Sequence, residues 1–367
     1  MSSLQQQQKP STEGSPLFNP DEFFLAWRSR EGVDFLLEHN EFREAIIKAF
    51  RLMNDDSYVY HAIASVTLAQ VQYTVTRGRG GGLHAWYLDG EGNAFPNPPS
   101  ADITAYTSIF SPSKSAPNLL KSLKSNAKKN SLRASIASHL LSARHISSSY
   151  SSPKPKKSPN AHINPYYDMW CWSCQNLEWG GPNEGTVNVK TSHHILPIFM
   201  HHFGCAVPSY ECLEIIRQVT RGKSIVDMGS GNGYWTYLLR RQGMTVLAVD
   251  NEQSVWRTMW IGDTIVTDGI RWLRARHGSK DDVLLLVYPV VGGYFTAKIL
   301  ETYQGNAVCV VGTQNGNGYT AFKDKTIEKY MEGIGEWDMT VRIAIPSFAG
   351  KDDALFVFER KEGGQTT

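Results

Sequence analysis

One short stretch beyond the middle of the chain combines an acid with three regularly spaced glycines. The stretch reads Ser224-Ile225-Val226-Asp227-Met228-Gly229-Ser230-Gly231-Asn232-Gly233-Tyr234-Trp235. An apolar run therefore ends in an acid, and a helical pattern follows at residues 236–241. Glycines allow backbone amides to approach a bound ligand closely, and the start of a helix favours electron-rich groups. This order predicts a strand, a glycine turn and a helix that together hold a ligand.

A second acid stands at the end of the next apolar run. Residues 245–249 are apolar and lead directly into Asp250. In a nucleotide-binding sheet, an acid at that position accepts hydrogen bonds from the ribose hydroxyls. Two successive strand ends therefore carry acids, and we expect both acids to face one cavity.

The spacing of the glycines distinguishes two kinds of cofactor. The dinucleotide fingerprint is G-x-G-x-x-G, but Tyr234 stands where its third glycine would be. The pattern is instead D-x-G-x-G-x-G, which resembles motif I of the class I S-adenosylmethionine-dependent methyltransferases. Asp250 is similar in position to the second-strand acid of that family. The resemblance extends over residues 210–360 and implies S-adenosyl-L-methionine as the cofactor.

The resemblance also implies which residues would contact the cofactor. Asp227 and the amides of the glycine loop would hold its methionine part and ribose, and Asp250 with Asn251 would hold the ribose hydroxyls. Asp268 would face the adenine amine; Asp263 is the competing choice, and a helix cap is the alternative role for Asp268. The implied cofactor residues are Asp227, Gly229, Ser230, Gly231, Asn232, Gly233, Asp250, Asn251, Asp268, Gly269, Tyr288 and Pro289.

By the same resemblance, the fourth and fifth strand ends would face the methyl acceptor. The fourth reads Tyr288-Pro289-Val290-Val291-Gly292-Gly293, whereas amino-group methyltransferases carry Asp/Asn-Pro-Pro-Tyr/Phe there. This departure weakens the case for N-methylation of a nucleobase. The fifth end, residues 312–319, is polar and finishes in Tyr319. No side chain stands out as a general base, so Tyr288 and Tyr319 are the candidate catalytic residues.

Strand-like and helix-like segments alternate from residue 224 almost to the end of the chain. The last two apolar runs, residues 339–345 and 354–358, lie too close together for a crossover helix. Alternation predicts a parallel sheet with helices on both faces, and the closing pair predicts an antiparallel hairpin. We therefore expect an α/β fold with a doubly wound, mostly parallel seven-stranded sheet, a C-terminal antiparallel hairpin and a helical N-terminal extension.

The remaining segments are assigned from their composition and periodicity. Residues 42–53 place apolar side chains on one helix face, and Val59, Ile63 and Val66 indicate a further helix. The predicted segments are a disordered tail (1–18), a helical extension (19–99), a disordered Ser/Lys-rich basic linker (100–160), an aromatic-rich lid with helices (161–222), the cofactor-binding core (223–361) and a short tail (362–367). The alternative to a lid is a hydrophobic seam between the N-terminal helices and the sheet.

The basic linker carries most of the positive charge of the chain. Residues 103–160 contain ten Lys and Arg and no Asp or Glu. Their Ser- and Lys-rich composition predicts disorder, with a transient helix over residues 132–145. The charge indicates an acidic or nucleic-acid partner, and a solvated tether without a partner is the simpler alternative.

Composition excludes several classes of protein. The chain of 367 residues is 41% hydrophobic and 20% charged, with a net charge of +2. No apolar run approaches the roughly 18 residues that span a bilayer, and the N-terminal residues lack a secretory signal. We therefore expect a cytoplasmic or nuclear location. Cys171 and Cys174 form a single C-x-x-C pair, for which a structural role is favoured over zinc or redox chemistry, so no metal is expected.

These observations favour an S-adenosylmethionine-dependent methyltransferase with an unspecified acceptor. A protein or a small molecule is the favoured acceptor, and RNA remains compatible with the basic segment. One alternative is a catalytically silent, methyltransferase-like binding or scaffold protein, which fits the missing base and the altered fourth strand end. The other is an NAD-dependent oxidoreductase, against which the tyrosine at the third glycine position counts.

Overall fold

The fold is that of a computed structural model of the chain. The described residues are 17–29, 37–62, 64–77, 91, 93, 96–158, 162–177, 181–189, 194–252, 257–292, 294–316 and 320–361. Tyr319, the tail at residues 362–367 and all of the N-terminal tail except Leu17 and Phe18 lie outside them, so the predictions made for these residues stay predictions.

An eight-stranded sheet forms the centre of the described part of the chain. Its strands are β3 (His145–Ile146), β4 (Ile225–Met228), β5 (Val246–Asp250), β6 (Ile265–Val266), β7 (Val283–Val287), β8 (Ala307–Thr313), β9 (Trp337–Ala344) and β10 (Asp353–Arg360). They lie in the order β3-β9-β10-β8-β7-β4-β5-β6. The strands from β4 to β8 are parallel to their neighbours within this group. The predicted α/β class with a largely parallel sheet is confirmed.

The other edge of the sheet is antiparallel. β10 runs antiparallel to both β8 and β9. The outermost strand, β3, pairs antiparallel with β9 through His145 opposite Arg342 and Ile146 opposite Val341. We predicted seven strands, and β3 is the additional one. A strand of two residues leaves no alternating pattern to read, because its pairing is decided by the partner strand rather than by its own sequence.

Helices cover both faces of the sheet. They are α1 (Pro20–Ser29), α2 (Phe42–Phe50), α3 (Leu68–Arg77), α4 (Ser100–Thr107), α5 (Ala116–Ser125), α6 (Leu132–Ala143), α7 (Pro165–Asn176), α8 (Leu196–Phe203), α9 (Tyr210–Thr220), α10 (Tyr234–Arg241), α11 (Gly269–Ala275), α12 (Phe295–Thr302) and α13 (Ile327–Ile334). No helix within the described ranges has both the length and the apolar character that a membrane crossing requires.

Two buried clusters fill the space between these helices and the sheet. Successive residues of β7 alternate between them: Val283 and Leu285 belong to one cluster, Leu284 and Leu286 to the other. Side chains of a strand point alternately to opposite faces, so a strand covered on both sides is apolar throughout. β7 therefore lies in the middle of a core that covers both faces of the sheet.

The segment predicted as a disordered linker is folded. Residues 100–158 contain α4, α5, α6 and β3, and Leu120 and Ile136 within them are buried. Arg133 Nη1 donates to Asp102 Oδ1 at 2.7 Å, which ties α6 to α4. The prediction was wrong because the abundant Ser and Lys occupy the solvent-facing sides of these helices. The few apolar positions are nevertheless sufficient, since α6 packs against β9.

The N-terminal extension also differs from its prediction. In place of a helix over residues 59–66, β1 (Tyr60–His61) and β2 (Ser65–Val66) form an antiparallel hairpin in which Tyr60 lies opposite Val66. Val66 is buried, whereas Val59 is exposed and Ile63 lies outside the described residues. Apolar spacing over so few residues fits a helix and a hairpin equally well, and packing decides between them. Met53, predicted on the buried helix face, is 66% exposed.

An aromatic cluster joins the N-terminal helices to the sheet. Phe23 of α1 meets Trp260 edge to face, with ring centroids 5.3 Å apart. Phe203 of α8 stacks on Trp260 at 5.7 Å and on Tyr166 of α7 at 4.6 Å. Aromatic pairs of this kind contribute about 0.5–1.5 kcal/mol beyond their buried area. The N-terminal helices therefore share a core with the sheet and do not form a unit of their own.

Candidate ligand site

A cavity of about 550 Å³ opens at the carboxyl ends of β4, β5 and β7. Ligands of open α/β sheets bind at this edge. The predicted cofactor residues that line it are Asp227, Gly229, Ser230, Gly231, Asn232, Asp250, Asn251, Asp268, Gly269, Tyr288 and Pro289. Gly233, from the same prediction, is not among the lining residues. The structure thus brings residues from four strand ends together around one space.

The glycine loop after β4 has a backbone that requires glycine. Gly229, Gly231 and Gly233 have φ angles of 78°, 57° and 80°, a region that other residues rarely adopt. A Cβ atom at Gly233 would also overlap the side chain of Ile261. The amide of Gly229 donates to the carbonyl of Val249 at 2.8 Å, which fastens the loop to β5. Gly233 therefore shapes the loop without facing the cavity.

Asp227 lies under the glycine loop and is 1% exposed. Its Oδ2 atom accepts a hydrogen bond from Thr236 Oγ1 at 2.6 Å, while its Oδ1 atom has no partner within the described part of the chain. Burial raises the pKa of Asp227 to about 6, against the opposing effect of the Thr236 hydroxyl. A buried carboxylate oxygen without a donor is costly. A ligand with a cationic donor would remove that cost.

Two further buried polar atoms at the cavity lack partners among the described residues. They are Ser230 Oγ and Asn232 Nδ2. Asn232 Oδ1 accepts from the amide of Tyr234 at 3.2 Å, so the side-chain amide is oriented with its nitrogen free. Together with Asp227, the loop offers one anionic acceptor, one hydroxyl and one amide donor. This set fits the ammonium and carboxylate groups of the amino-acid part of S-adenosylmethionine.

Asp250 links the end of β5 to the glycine loop. Its Oδ2 atom accepts from the amide of Gly231 at 2.9 Å, and its Oδ1 atom accepts from the amide of Glu252 at 3.3 Å. The carboxylate is only partly buried and lines the cavity beside Asn251. Each carboxylate oxygen can accept a second hydrogen bond, so both remain able to bind ligand hydroxyls.

Asp268 caps a helix and also lies at the cavity, so its predicted contact with an adenine amine stays a prediction. Its Oδ1 atom accepts from the amide of Arg271 at 2.7 Å and so caps α11, and the residue also lines the cavity with Gly269. The competing Asp263 pairs with Arg240 at 2.8 Å and does not line the cavity. Of the two acids, only Asp268 lies at the cavity.

Tyr288 and Pro289 stand at the end of β7. Tyr288 has a φ angle of 51°, and its amide donates to the carbonyl of Val311 at 2.7 Å. Its hydroxyl donates to Asp353 Oδ1 at 3.1 Å. Burial raises the pKa of Tyr288 well above its ordinary value, so the hydroxyl is protonated at neutral pH. The contact with Asp353, at the start of β10, was not foreseen because the two residues are far apart in the sequence.

One wall of the cavity comes from residues that the sequence analysis did not name. Phe203, Gly204 and Cys205, at the end of α8, line it. Gly204 has a φ angle of 110° and ends the helix, and this glycine is the only signal that the sequence offers for the wall. These three residues fall within the segment predicted as a lid (161–222), but the aromatic residues at 166–172 on which that prediction depended do not line the cavity. Tyr166 and Trp170 are buried behind the wall, which corresponds to the hydrophobic seam that was the alternative.

The C-x-x-C pair lies within α7. Cys174 is buried, and burial raises the pKa of Cys171 to about 12, so the Cys171 thiol stays protonated. A protonated thiol is neither a nucleophile nor a ready metal ligand. Within the described ranges, no group of three or more His, Cys, Asp or Glu side chains could hold a metal ion.

Comparisons with known proteins return similar structures only. No protein-family model matches the sequence, and no curated protein matches it. Two structures of the magnesium protoporphyrin IX methyltransferase from Synechocystis PCC 6803 are similar to this chain. The one with bound S-adenosylhomocysteine has 11% identity over 41% of this chain and 83% of its own, with a TM-score of 0.30. The one with bound S-adenosylmethionine has 9% identity over 55% and 100%, with a TM-score of 0.32. An rRNA methylase from Streptococcus thermophilus has 18% identity over 38% and 89%, with a TM-score of 0.26. These scores are too low to support a function, which has to be inferred from the cavity.

Proposed function

We propose that this chain binds S-adenosyl-L-methionine in the cavity at the ends of β4, β5 and β7 and transfers its methyl group to an acceptor. The observation that carries the proposal is the unpartnered carboxylate oxygen of Asp227, buried at the cavity. An ammonium group has the opposite charge and donates hydrogen bonds, so it would satisfy that oxygen. Ser230 and Asn232 would bind the carboxylate of the same ligand.

Tyr234 favours this cofactor over a dinucleotide. The third glycine of a dinucleotide loop permits close packing of the helix on the strand. Tyr234 occupies that position with a buried ring, packs against Trp260 at 4.7 Å and donates its hydroxyl to Asn164 Oδ1 at 2.8 Å. Removing the ring to admit a dinucleotide would break this buried contact, so an NAD-dependent oxidoreductase is the weaker candidate.

The chemistry divides between cofactor and protein. Bound S-adenosylmethionine supplies an electrophilic methyl group on a sulfonium centre. The residues of this chain bind and orient the reactants: Asp227 binds the ammonium group, Asp250 binds the ribose hydroxyls, and Asp268 faces the adenine amine. Phe203, a buried residue on the cavity wall, excludes water from the reacting atoms. A small molecule or a protein side chain is the proposed acceptor.

Calorimetric titration of the full chain tests the cofactor. We expect heat on addition of S-adenosylmethionine and S-adenosylhomocysteine and none with NAD. Asp227→Ala should abolish the binding, because it removes the anionic acceptor. Asp263→Ala is the matched control, since it removes an aspartate that does not line the cavity. Absence of binding by the wild type, or equal binding by Asp227→Ala and Asp263→Ala, would refute the proposal.

Methyl transfer separates the enzyme from a silent binding protein. The wild type is incubated with S-adenosylmethionine carrying a tritiated methyl group and with a cell extract. Label in a product fraction supports the transferase. If the wild type binds S-adenosylmethionine but transfers no more label than Asp227→Ala does, the scaffold protein is supported.

A lysine-rich surface next to α5 leads to a separate proposal. The end of α5 and the turn that connects it to α6 expose Lys121, Lys124, Lys128 and Lys129. We propose that this surface binds the phosphates of single-stranded RNA, since fixed lysines release counterions on binding. A fluorescently labelled RNA of about 20 nucleotides should show a rise in fluorescence polarisation when the wild type is added at low salt, and replacing all four lysines by Glu should abolish that rise. Equal binding by wild type and variant would contradict the proposal.

A further inference from the structure

The end of β7 holds a bulky side chain in an uncommon backbone conformation. Tyr288 has a φ angle of 51°, in the left-handed region that residues with a bulky side chain rarely adopt. The hydrogen bond from the amide of Tyr288 to the carbonyl of Val311 keeps this turn attached to β8. The conformation places Tyr288 in the wall of the cavity, beside Pro289. In the proposed enzyme, this wall faces the acceptor.

A buried acid stands behind that tyrosine. Asp353 is 2% exposed, and its Oδ1 atom accepts the hydroxyl of Tyr288 at 3.1 Å. Its backbone amide donates to Ser347 Oγ at 2.9 Å, which fixes the start of β10. Among the described residues, the hydroxyl of Tyr288 is the hydrogen-bond donor to this carboxylate. A carboxylate buried with one neutral donor is poorly stabilised, so a proton readily returns to it.

The neighbouring acid shows what a purely structural carboxylate looks like in this region. Asp352 is held by His139 at 2.8 Å, by Gln314 Nε2 at 2.6 Å and by Asn315 Nδ2 at 3.4 Å. Those contacts join α6 to the loop after β8. Asp353 has no such network of anchoring side chains in the described part of the chain. Its one side-chain hydrogen bond in that part of the chain is to Tyr288, which lines the cavity.

The charged surroundings of Asp353 set the pH at which it changes state. Burial raises the pKa of Asp353 to about 7, the Asp352 charge adds to this effect, and Lys351 and the Tyr288 hydroxyl oppose it. The thiol of Cys205, which lines the cavity, and the hydroxyl of Tyr166 face the same carboxylate. Burial keeps the pKa of both groups high, so they stay neutral. Asp353 is therefore the group of this cluster that titrates near neutral pH.

We propose that Tyr288 and Asp353 form a proton-accepting pair for an acceptor that is methylated on a hydroxyl oxygen. This inference rests on the proposed methyltransferase function and names the acceptor class of the same site. Tyr288 lines the cavity and would contact the acceptor there, so it is the proposed catalytic residue, and Asp353 is the positioning residue that acts through it.

The step balances without any further reactant. The hydroxyl oxygen forms a bond to the methyl carbon, and the bond from that carbon to sulfur breaks with its electron pair left on sulfur. The acceptor proton passes to the oxygen of Tyr288 while the proton of Tyr288 passes to Asp353 Oδ1. Asp353 ends as the neutral acid and later loses the proton to water. A carboxylate acceptor has no proton to lose, so it needs no base. A neutral amine attacks the methyl group with its lone pair and loses its proton only afterwards, so it needs no base for the attack.

The test combines the identity of the labelled product with two variants. Wild type, Asp353→Asn and Tyr288→Phe are incubated with tritiated S-adenosylmethionine and a cell extract between pH 5.5 and 8.5, and binding of S-adenosylmethionine is measured by calorimetry. Tyr303→Phe is the matched control, because it removes a buried hydroxyl that donates to the carbonyls of Asp282 and Ala307. Melting curves verify that each variant is folded.

We expect label in a product that is stable to base and a wild-type rate that rises with pH through about 7. Asp353→Asn and Tyr288→Phe should lower the rate by about 100-fold or more, as the loss of a general base does. Both should bind S-adenosylmethionine like the wild type. At a saturating concentration of S-adenosylmethionine, where the titration of Asp227 no longer limits binding, Asp353→Asn should lose the rise with pH. Tyr303→Phe should keep both the rate and the pH profile.

Two sets of results would overturn the pair. One is a base-labile methyl ester or a methylated amine as the labelled product. The other is a pH profile that Asp353→Asn leaves unchanged while Tyr288→Phe remains folded and active. A wild type that binds no S-adenosylmethionine, or binds it without labelling any product, would refute the methyltransferase itself, and the inference would fall with it.

Discussion

Replacing Asp227 by Asn should stabilise the free protein and weaken its binding of S-adenosylmethionine. The carboxylate is buried, and its pKa is raised from 3.8 to about 6 by that burial. A shift of this size corresponds to about 3 kcal/mol of stability lost at neutral pH, since each unit is about 1.4 kcal/mol. Asn keeps an oxygen for the hydroxyl of Thr236 but buries an amide at a cost of about 1 kcal/mol. The net gain is about 2 kcal/mol.

The sign follows from the raised pKa. The folded protein binds this proton more tightly than the unfolded chain does, so the carboxylate does not destabilise the fold below the unfolded pKa near 4. The free-energy cost of burying the charged carboxylate appears as the pH rises and reaches its full value above about pH 6. The advantage of Asp227→Asn should therefore shrink by about 1.5 kcal/mol between pH 7.5 and pH 5.

Urea unfolding at the two pH values measures this difference, and melting curves with and without S-adenosylmethionine measure the binding. At pH 7.5 the variant should melt about 3 °C above the wild type and show little further rise with ligand. Asp263→Asn, an exposed aspartate paired with Arg240, is the control and should keep the full ligand-induced rise. A variant that melts below the wild type and keeps its ligand response would refute the role given to Asp227.

Two other substitutions test the loop and the seam. Gly233→Ala should destabilise the fold by about 2–3 kcal/mol, because a Cβ atom overlaps Ile261 and the φ angle of 80° is unfavourable for alanine. Adding Ile261→Ala should not restore binding of S-adenosylmethionine. An unchanged free energy of unfolding for Gly233→Ala in urea would contradict the geometry. Arg257→Ala should lower the free energy of unfolding by about 3–5 kcal/mol, because it leaves Asp56, its partner at 3.1 Å, buried without a cation. A decrease of less than about 1 kcal/mol in the same measurement would show that the pair does not hold the N-terminal region to the sheet.

Local patterns in the sequence were sufficient for much of the sheet and part of the site. Apolar runs that end in an acid marked the ends of β4 and β5, and the alternate glycines marked the loop between them. These signals hold because a strand covered on both faces must be apolar, and because a left-handed turn excludes most side chains. Asp227, Asp250 and Asp268 could be named for the same reason, since each directly follows such a run.

Composition misled where few apolar residues decide the fold. Residues 100–158 were assigned to a linker on their Ser and Lys content, yet each of the three helices has buried apolar residues, among them Ile103, Leu120 and Ile136. Whether such sparse positions are enough depends on the surface they meet. That surface, around β9, is formed by residues almost two hundred positions later, and no local pattern contains it.

The sequence by itself determined the α/β class, the glycine loop and the acids at the strand ends, because each depends on neighbouring residues along the chain. Only the tertiary structure decided what lies across the cavity from them. The wall at Phe203 to Cys205, the link from Tyr288 to Asp353 and the edge strand β3 all join residues that are far apart in the sequence. Such contacts form when packing brings distant strand ends together, which is why the residues at single strand ends could be predicted locally and the contacts between them could not.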